Sequence, residues 1–187
     1  CVTYKEVFPL LRDNKVWMGC TIHSGDREFG VPDEYPLEAA GCRIDENGKK
    51  YIRVKGVRWY TNIDHGRRHN PLSLMSMADN IKYSKHKDIQ GKKYQHYDNY
   101  DAIEIPYTDA IPCDYENLMG VPVTFLDKYC PEQFDIIWQA CGNTRASAPK
   151  EILDEVGYTI HPEDRGGCGV VNNKRQYARI LIRKKHL

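Results

Sequence analysis

Hydrophobic and polar positions change period several times along the chain, and each change marks an expected element. Thr3 followed three residues later by Glu6 fits a capping box and predicts an opening helix, which Pro9 limits or bends. After a turn at Asp13 and Asn14, the run from Lys15 to Ile22 reads as a buried strand. A helix leading into a buried strand is an α/β signature. Residues 25 to 50 are rich in turn formers, and Asn47-Gly48 between apolar stretches predicts a hairpin turn of the primed type. From Tyr51 to Ile63 the pattern alternates as a strand, with Ile52 and Val54 on one face and Arg53 and Lys55 on the other. Gly56 then shifts the phase, which predicts a bulge there and places Trp59 in the core.

Residues 66 to 96 carry no clean period apart from a helix-compatible run from Leu72 to Ile81, so an irregular and partly mobile excursion is expected. Short strands are predicted at Ala102 to Ile105, Val121 to Phe125, Phe134 to Trp138 and Ala178 to Arg183. Residues 142 to 176 read as loop, except for a helix from Pro149 to Val156, where Pro suits a first helical position. These changes divide the chain into an opening part (1–64), a basic excursion (65–96) and a closing α/β part (97–187).

Composition adds bounds. A chain of 187 residues with 41% hydrophobic and 28% charged content suits one globular domain, or a domain with an attached lobe. No run approaches the roughly 18–20 apolar residues of a membrane span, and no secretory leader opens the chain, so a soluble protein without a membrane partner is expected. The chain starts at Cys1 and reads at once like the middle of a fold, which makes a fragment the expectation. Seven scattered cysteines without CxxC spacing predict reduced thiols in a cytoplasmic protein.

A net charge of +1 hides an uneven distribution. His65 to His96 holds seven Lys or Arg against two acids, with four of the seven histidines. Tyr97 to Asp135 inverts this, with nine acids against Lys128 alone, and Lys174 to His186 adds six more cations. Two basic blocks flank an acidic one.

Several stretches resemble the EcoRI-type adenine-specific DNA methyltransferases: TYKEVFPLLRDNKVWMG from Thr3, VRWYTNID from Val57, YDNYDAIEI from Tyr97, IPCDYENLMGVPVTFLDKYCPEQFDII from Ile111 and the closing KRQYARILIRKK from Lys174. The resemblance implies an α/β fold, the C-terminal part of a Rossmann-like methyltransferase sheet carrying an irregular, basic target-recognition insertion. By this analogy the opening helix and strand are a late unit of that sheet, and Phe134 to Trp138 with Ala178 to Arg183 supply its last antiparallel strands. It also implies methyl transfer from S-adenosylmethionine to the exocyclic amine of an adenine swung out of the duplex.

In that family the chemistry rests on an Asn- or Asp-Pro-Pro-aromatic turn. The nearest local match, Asn70-Pro71-Leu72, lacks the second proline and the aromatic ring. Donor binding needs a strand, a glycine-rich turn and a helix, whereas Gly166-Gly167-Cys168-Gly169 leads into Val170-Val171 and reads as a loop before a terminal hairpin. No catalytic, cofactor or metal residue is therefore assigned. The donor is expected in the intact enzyme but not on this piece, whose partners are double-stranded DNA and a missing N-terminal catalytic half.

The DNA-contact candidates are His65, Arg67, Arg68, Lys82, Lys85, Lys87, Lys92 and Lys93, because clustered cations displace counterions from phosphates. Arg58, Tyr60 and Asn62 join them as groups able to read or flank bases. Against these stands the plain reading of a solvated charged loop and a half-buried strand. Asp64-His65 as a general base, and Asp98, Asp101 and Glu104 as a metal site, are outweighed by charge balance and turn formation. The alternative to an enzyme piece is a non-enzymatic DNA-binding module. A nuclease is disfavoured, since Asp33 followed by Glu46 and Lys49 places the lysine one residue late for metal-dependent cutting.

Overall fold

The structure is a computed structural model that describes residues 2–20, 26–36 and 41–185. Contacts divide the chain into two units, one of residues 1–17 with 62–187 and one of residues 18–61.

The larger unit is built on a mixed four-stranded sheet of β6 (Ala102–Glu104), β7 (Leu118–Pro122), β8 (Phe134–Ala140) and β11 (Arg179–Lys184), in the order β6-β7-β11-β8. The strand β6 runs parallel to β7, and β11 lies antiparallel between β7 and β8. Its central position explains the apolar run Ile180, Leu181 and Ile182, all nearly inaccessible, since a strand covered on both faces needs no alternation. A register shift between Leu181 and Ile182 accommodates the pairing with β8. Phe8, Phe125, Phe134 and Trp138 complete the apolar packing, with Phe8 edge-on to Trp138 at 5.5 Å. Each such ring stabilises the fold by roughly 1.5–3 kcal/mol when fully buried.

The opening helix α1 spans Phe8–Arg12, with Val7 and not Thr3 at its N-cap and no side-chain cap there. Pro9 lies in its first turn, where a fixed φ and a missing N–H do no harm, and this sets the later start. Only Trp17–Met18 of the expected strand is extended (β1), and residues 21 and 22 lie outside the described residues. Strand β1 pairs not with the four-stranded sheet but with β5 (Tyr60–Thr61).

The smaller unit holds a three-stranded antiparallel sheet of β2 (Arg27–Val31), β3 (Cys42–Ile44) and β4 (Lys50–Val54), in the order β2-β4-β3. The β3–β4 hairpin forms where expected, but its turn is not of the primed type. Gly48 alone has a positive φ (78°), Gly48 N–H donates to Asp45 O at 3.0 Å, and Asp45 Oδ1 accepts from Asn47 N and Lys49 N at 2.9 Å. This is the three-residue loop with a left-handed glycine. Gly56 (φ 64°) ends β4 outright instead of forming a bulge, and Trp59 is 51% exposed, not in the core. With β4 ended, the phase that would have turned Trp59 inward no longer applies.

The basic excursion is irregular, with a 3-10 turn at Gly66–His69 and one short helix, α2 (Met77–Tyr83), capped by Ser76. It is nonetheless tied down. Gln133 accepts from Leu72 N at 2.7 Å and donates to Leu72 O at 2.9 Å, and Tyr94 OH donates to Ala110 O at 2.6 Å. Beyond β7, residues 123–128 form a 3-10 helix in place of the expected strand to Phe125. Helices α3 (Thr144–Ser147) and α4 (Lys150–Glu155) follow β8, and Val170–Val171 (β9) pairs with Lys174–Arg175 (β10) in a hairpin. No helix among the described residues is long and apolar enough to cross a membrane.

Candidate nucleic-acid interface

The expected contact residues fall in both units. Arg58 and Tyr60 belong to the smaller unit and are half-buried, while the others belong to the larger one. Asn62, Arg67 and the lysines Lys82, Lys85, Lys87, Lys92 and Lys93 are exposed, and His65 is half-buried.

Arg68 departs from expectation. It is buried, its guanidinium lies 3.6 Å from the Trp17 ring centre, and it donates to Asp64 at 3.0 Å and to Asn14. A cation so stacked and paired is held by the protein's own interior and is not presented to phosphate. The lysines differ among themselves. Lys85 reaches Asp109 at 2.7 Å, Lys92 approaches Asp88 at 3.9 Å, and the Lys82 ammonium lies 4.8 Å from the Tyr83 ring. Lys87 and Lys93 have no carboxylate partner among the described residues. Such cations are the ones able to exchange counterions for phosphates.

Asp64 accepts a hydrogen bond from the His65 backbone and is also reached by a second histidine. This is His69, whose Nε2 lies 2.9 Å from Asp64 Oδ1 and whose Nδ1 lies 2.7 Å from Glu132 Oε1. Hydrogen bonds to Asp64 and then Glu132 raise the His69 pKa, and those from His69 and Arg68 hold Asp64 down at about 2. Sequence reasoning missed His69 because its second partner lies 63 residues away.

Beside this cluster, a cleft of about 260 Å³ brings Arg67 and Ser73 opposite Asp109, Asp127 and Lys128. A second cleft of about 380 Å³ shares those last three residues and adds Tyr107 and Thr124. The His86 ring stacks on Tyr107 at 3.7 Å, and His86 Nε2 lies 2.8 Å from Asp109. The acidic block thus faces the basic excursion directly.

The acidic candidates for metal have other occupations. Glu104 receives Arg179 at 2.7 Å and the Tyr97 hydroxyl, and Asp98 accepts from Asn173 N at 2.8 Å. Among the described residues no group of three metal-ligating side chains comes together. The glycine run from Gly166 to Gly169 packs closely against its own protein. A Cβ at Gly166 would overlap the Gly142 carbonyl, one at Gly167 would lie 2.6 Å from Thr144 Cβ, and one at Gly169 would overlap the Tyr97 ring. At these three glycines, neighbouring protein atoms occupy the space a side chain would take.

Comparison with known proteins gives this geometry its context. The model of the family described as adenine-specific methyltransferase EcoRI matches residues 1–185. The Type II methyltransferase M.EcoRI of Escherichia coli is 39% identical over 186 residues, 100% of this chain and 48% of its own length. M.MgeORF184P of Mycoplasma genitalium is 32% identical over 190 residues, 100% of this chain and 55% of its own. M.MpnI of Mycoplasma pneumoniae is 27% identical over 187 residues, 98% and 54% respectively. The chain spans about half the length of these curated relatives. No solved structure matches it. With a family model covering it almost end to end, the chain belongs to the adenine-specific EcoRI methyltransferase family.

Proposed function

We propose that this chain is part of a site-specific DNA adenine-N6 methyltransferase using S-adenosylmethionine, and that its residues supply duplex contact while donor binding and chemistry lie elsewhere in the protein. The observation that carries this reading is the family match over residues 1–185. The relatives are about twice as long, which leaves room outside these residues for the Pro-Pro-aromatic turn and the donor cradle. The antiparallel β8 and β11 support reading the sheet as the closing part of a Rossmann-like one. Free thiols at the six described cysteines support a cytoplasmic protein.

Within the larger unit, Arg67, Lys82, Lys87, Lys92 and Lys93 are the phosphate-facing set, with Asn62 and His65 as further contacts, while Arg58 and Tyr60 are contact candidates of the smaller unit by itself. Lys85 is drawn toward Asp109 and contributes less, and Arg68 drops out. The test is titration of duplex DNA with the chain across a salt series. Binding is expected to weaken steeply with salt, because phosphate contacts dominate. Charge reversal at Arg67, Lys92 and Lys93 should cost more affinity than reversal at Arg183, Lys184 and Lys185, since Arg183 already faces Glu155 at 3.3 Å and Lys185 faces Asp135 at 3.2 Å. Salt-insensitive binding, or incorporation of labelled methyl groups by this chain alone, overturns the reading.

A further inference from the structure

The stretch from Lys92 to Asn99 and the β9–β10 hairpin lie more than 70 residues apart in sequence and are fastened together in the fold. Asn99 grips the hairpin's first strand from both sides, donating to Cys168 O at 2.9 Å and accepting from Val170 N at 2.9 Å. Asp98 N–H donates to Val170 O at 2.7 Å, and Asp98 Oδ2 accepts from Asn173 N at 2.8 Å. At the tip, Asn172 Nδ2 donates to Gln95 Oε1 at 3.1 Å, while Gln95 Nε2 donates to Lys93 O at 3.0 Å. Beneath these bonds the Tyr97 ring is wedged where side chains on Gly120 and Gly169 would otherwise sit. In the turn itself Asn172 and Asn173 both hold positive φ (50° and 60°), the geometry of a primed two-residue hairpin.

This clamp sets Lys174 and Arg175 of β10 on the same part of the molecule as Lys92, Lys93 and His96. Lys174 and Arg175 are exposed and have no carboxylate partner among the described residues, unlike the tail cations at 183 and 185. The acids nearby are already engaged, Asp98 by Asn173 N and Glu104 by Arg179. Just beyond the hairpin, Tyr177 is 89% exposed.

We propose that the β9–β10 hairpin and the 92–96 segment form one composite duplex-DNA contact surface, with Lys174 and Arg175 on phosphates and the Asn172–Asn173 tip presented toward the groove. A two-stranded ribbon is narrow enough to enter a major groove. The inference rests on the DNA-contact reading above and adds a second segment to it, one that sequence distance hides.

The experiment compares the unaltered chain, Lys92→Glu with Lys93→Glu, Lys174→Glu with Arg175→Glu, and Arg183→Glu with Lys185→Glu, by duplex titration over a salt series. The hairpin pair is expected to lower affinity by at least about tenfold at 0.1 M salt and to reduce the salt slope by about 2, as loss of two phosphate contacts requires. The tail pair should leave both near those of the unaltered chain. The neutral variant Lys174→Gln with Arg175→Gln, checked for unchanged thermal unfolding, guards against a folding defect and should show the same reduction in slope. If the 92–93 pair weakens binding and neither hairpin variant does, the composite surface is wrong while DNA contact stands. If the unaltered chain fails to bind at low salt, DNA contact and the composite surface fall together.

Discussion

The four-stranded sheet and the basic excursion are held by different physics. The sheet is stabilised by strand pairing and by apolar side chains taken almost wholly out of water, Ile180, Leu181 and Ile182 at its centre. The excursion has one short helix and few buried apolar groups, so side chains and backbone of the following acidic block satisfy its backbone. Gln133 brackets Leu72, Asp114 accepts from Met77 N at 2.7 Å, and Cys113 N–H donates to Met75 O at 2.9 Å. The inversion of charge along the sequence becomes, in the fold, two faces that meet. A basic segment can thus be positioned without a core of its own, which leaves its remaining cations outward.

Three changes would sharpen or break that contrast. The largest effect is expected at Gly120→Ala. Its Cβ would overlap the Tyr97 ring, which lies over β7 so that its hydroxyl reaches Glu104, and the overpacking should cost about 3 kcal/mol in denaturant unfolding. Stability equal to that of the unaltered chain would mean that Tyr97 is not wedged there. Next comes Gln133→Ala, which strands both polar groups of Leu72 and should cost about 2 kcal/mol. Amide exchange should quicken around residues 72–80 while β7 and β11 stay protected. Uniform loss of protection would show that sheet and excursion open as one unit and erase the distinction.

The smallest effect concerns His69. Its pKa is raised above 6.5 by Asp64 and Glu132, so the stability it contributes is complete below 6.5 and fades as pH rises through the raised value. Asp64 is depressed from 3.8 to about 2, so its contribution is present above 3.8 and fades as pH falls toward 2. Both groups are well exposed to solvent, which keeps the effect small. His69→Asn should flatten the alkaline side of a stability-versus-pH curve, and an unchanged curve would remove the cluster from the account.

Much of this protein was legible without coordinates. Strands at 102–104, 134–140 and 179–184 lie close to where contiguous apolar runs place them, as do the hairpin at Asn47-Gly48 and the helix after Pro149. Family membership likewise follows from motifs read in order along the chain. These signals are local, since a strand's period or a turn's glycine acts within a few residues. Boundaries that depend on competition, such as the start of α1 and the end of β4, shifted because Pro9 and Gly56 impose backbone geometry that outweighs the side-chain pattern.

What the amino-acid order determined by itself was therefore the set of elements, the family and the uneven charge. Tertiary structure alone decided which cations are free. Arg68 is taken inward by Trp17 and Asp64, Lys185 is matched by Asp135, and Lys174 and Arg175 have no carboxylate partner among the described residues, on a hairpin whose tip is bonded to Gln95. Ion pairing and burial depend on distances across dozens of intervening residues, and one-dimensional order carries no record of those distances.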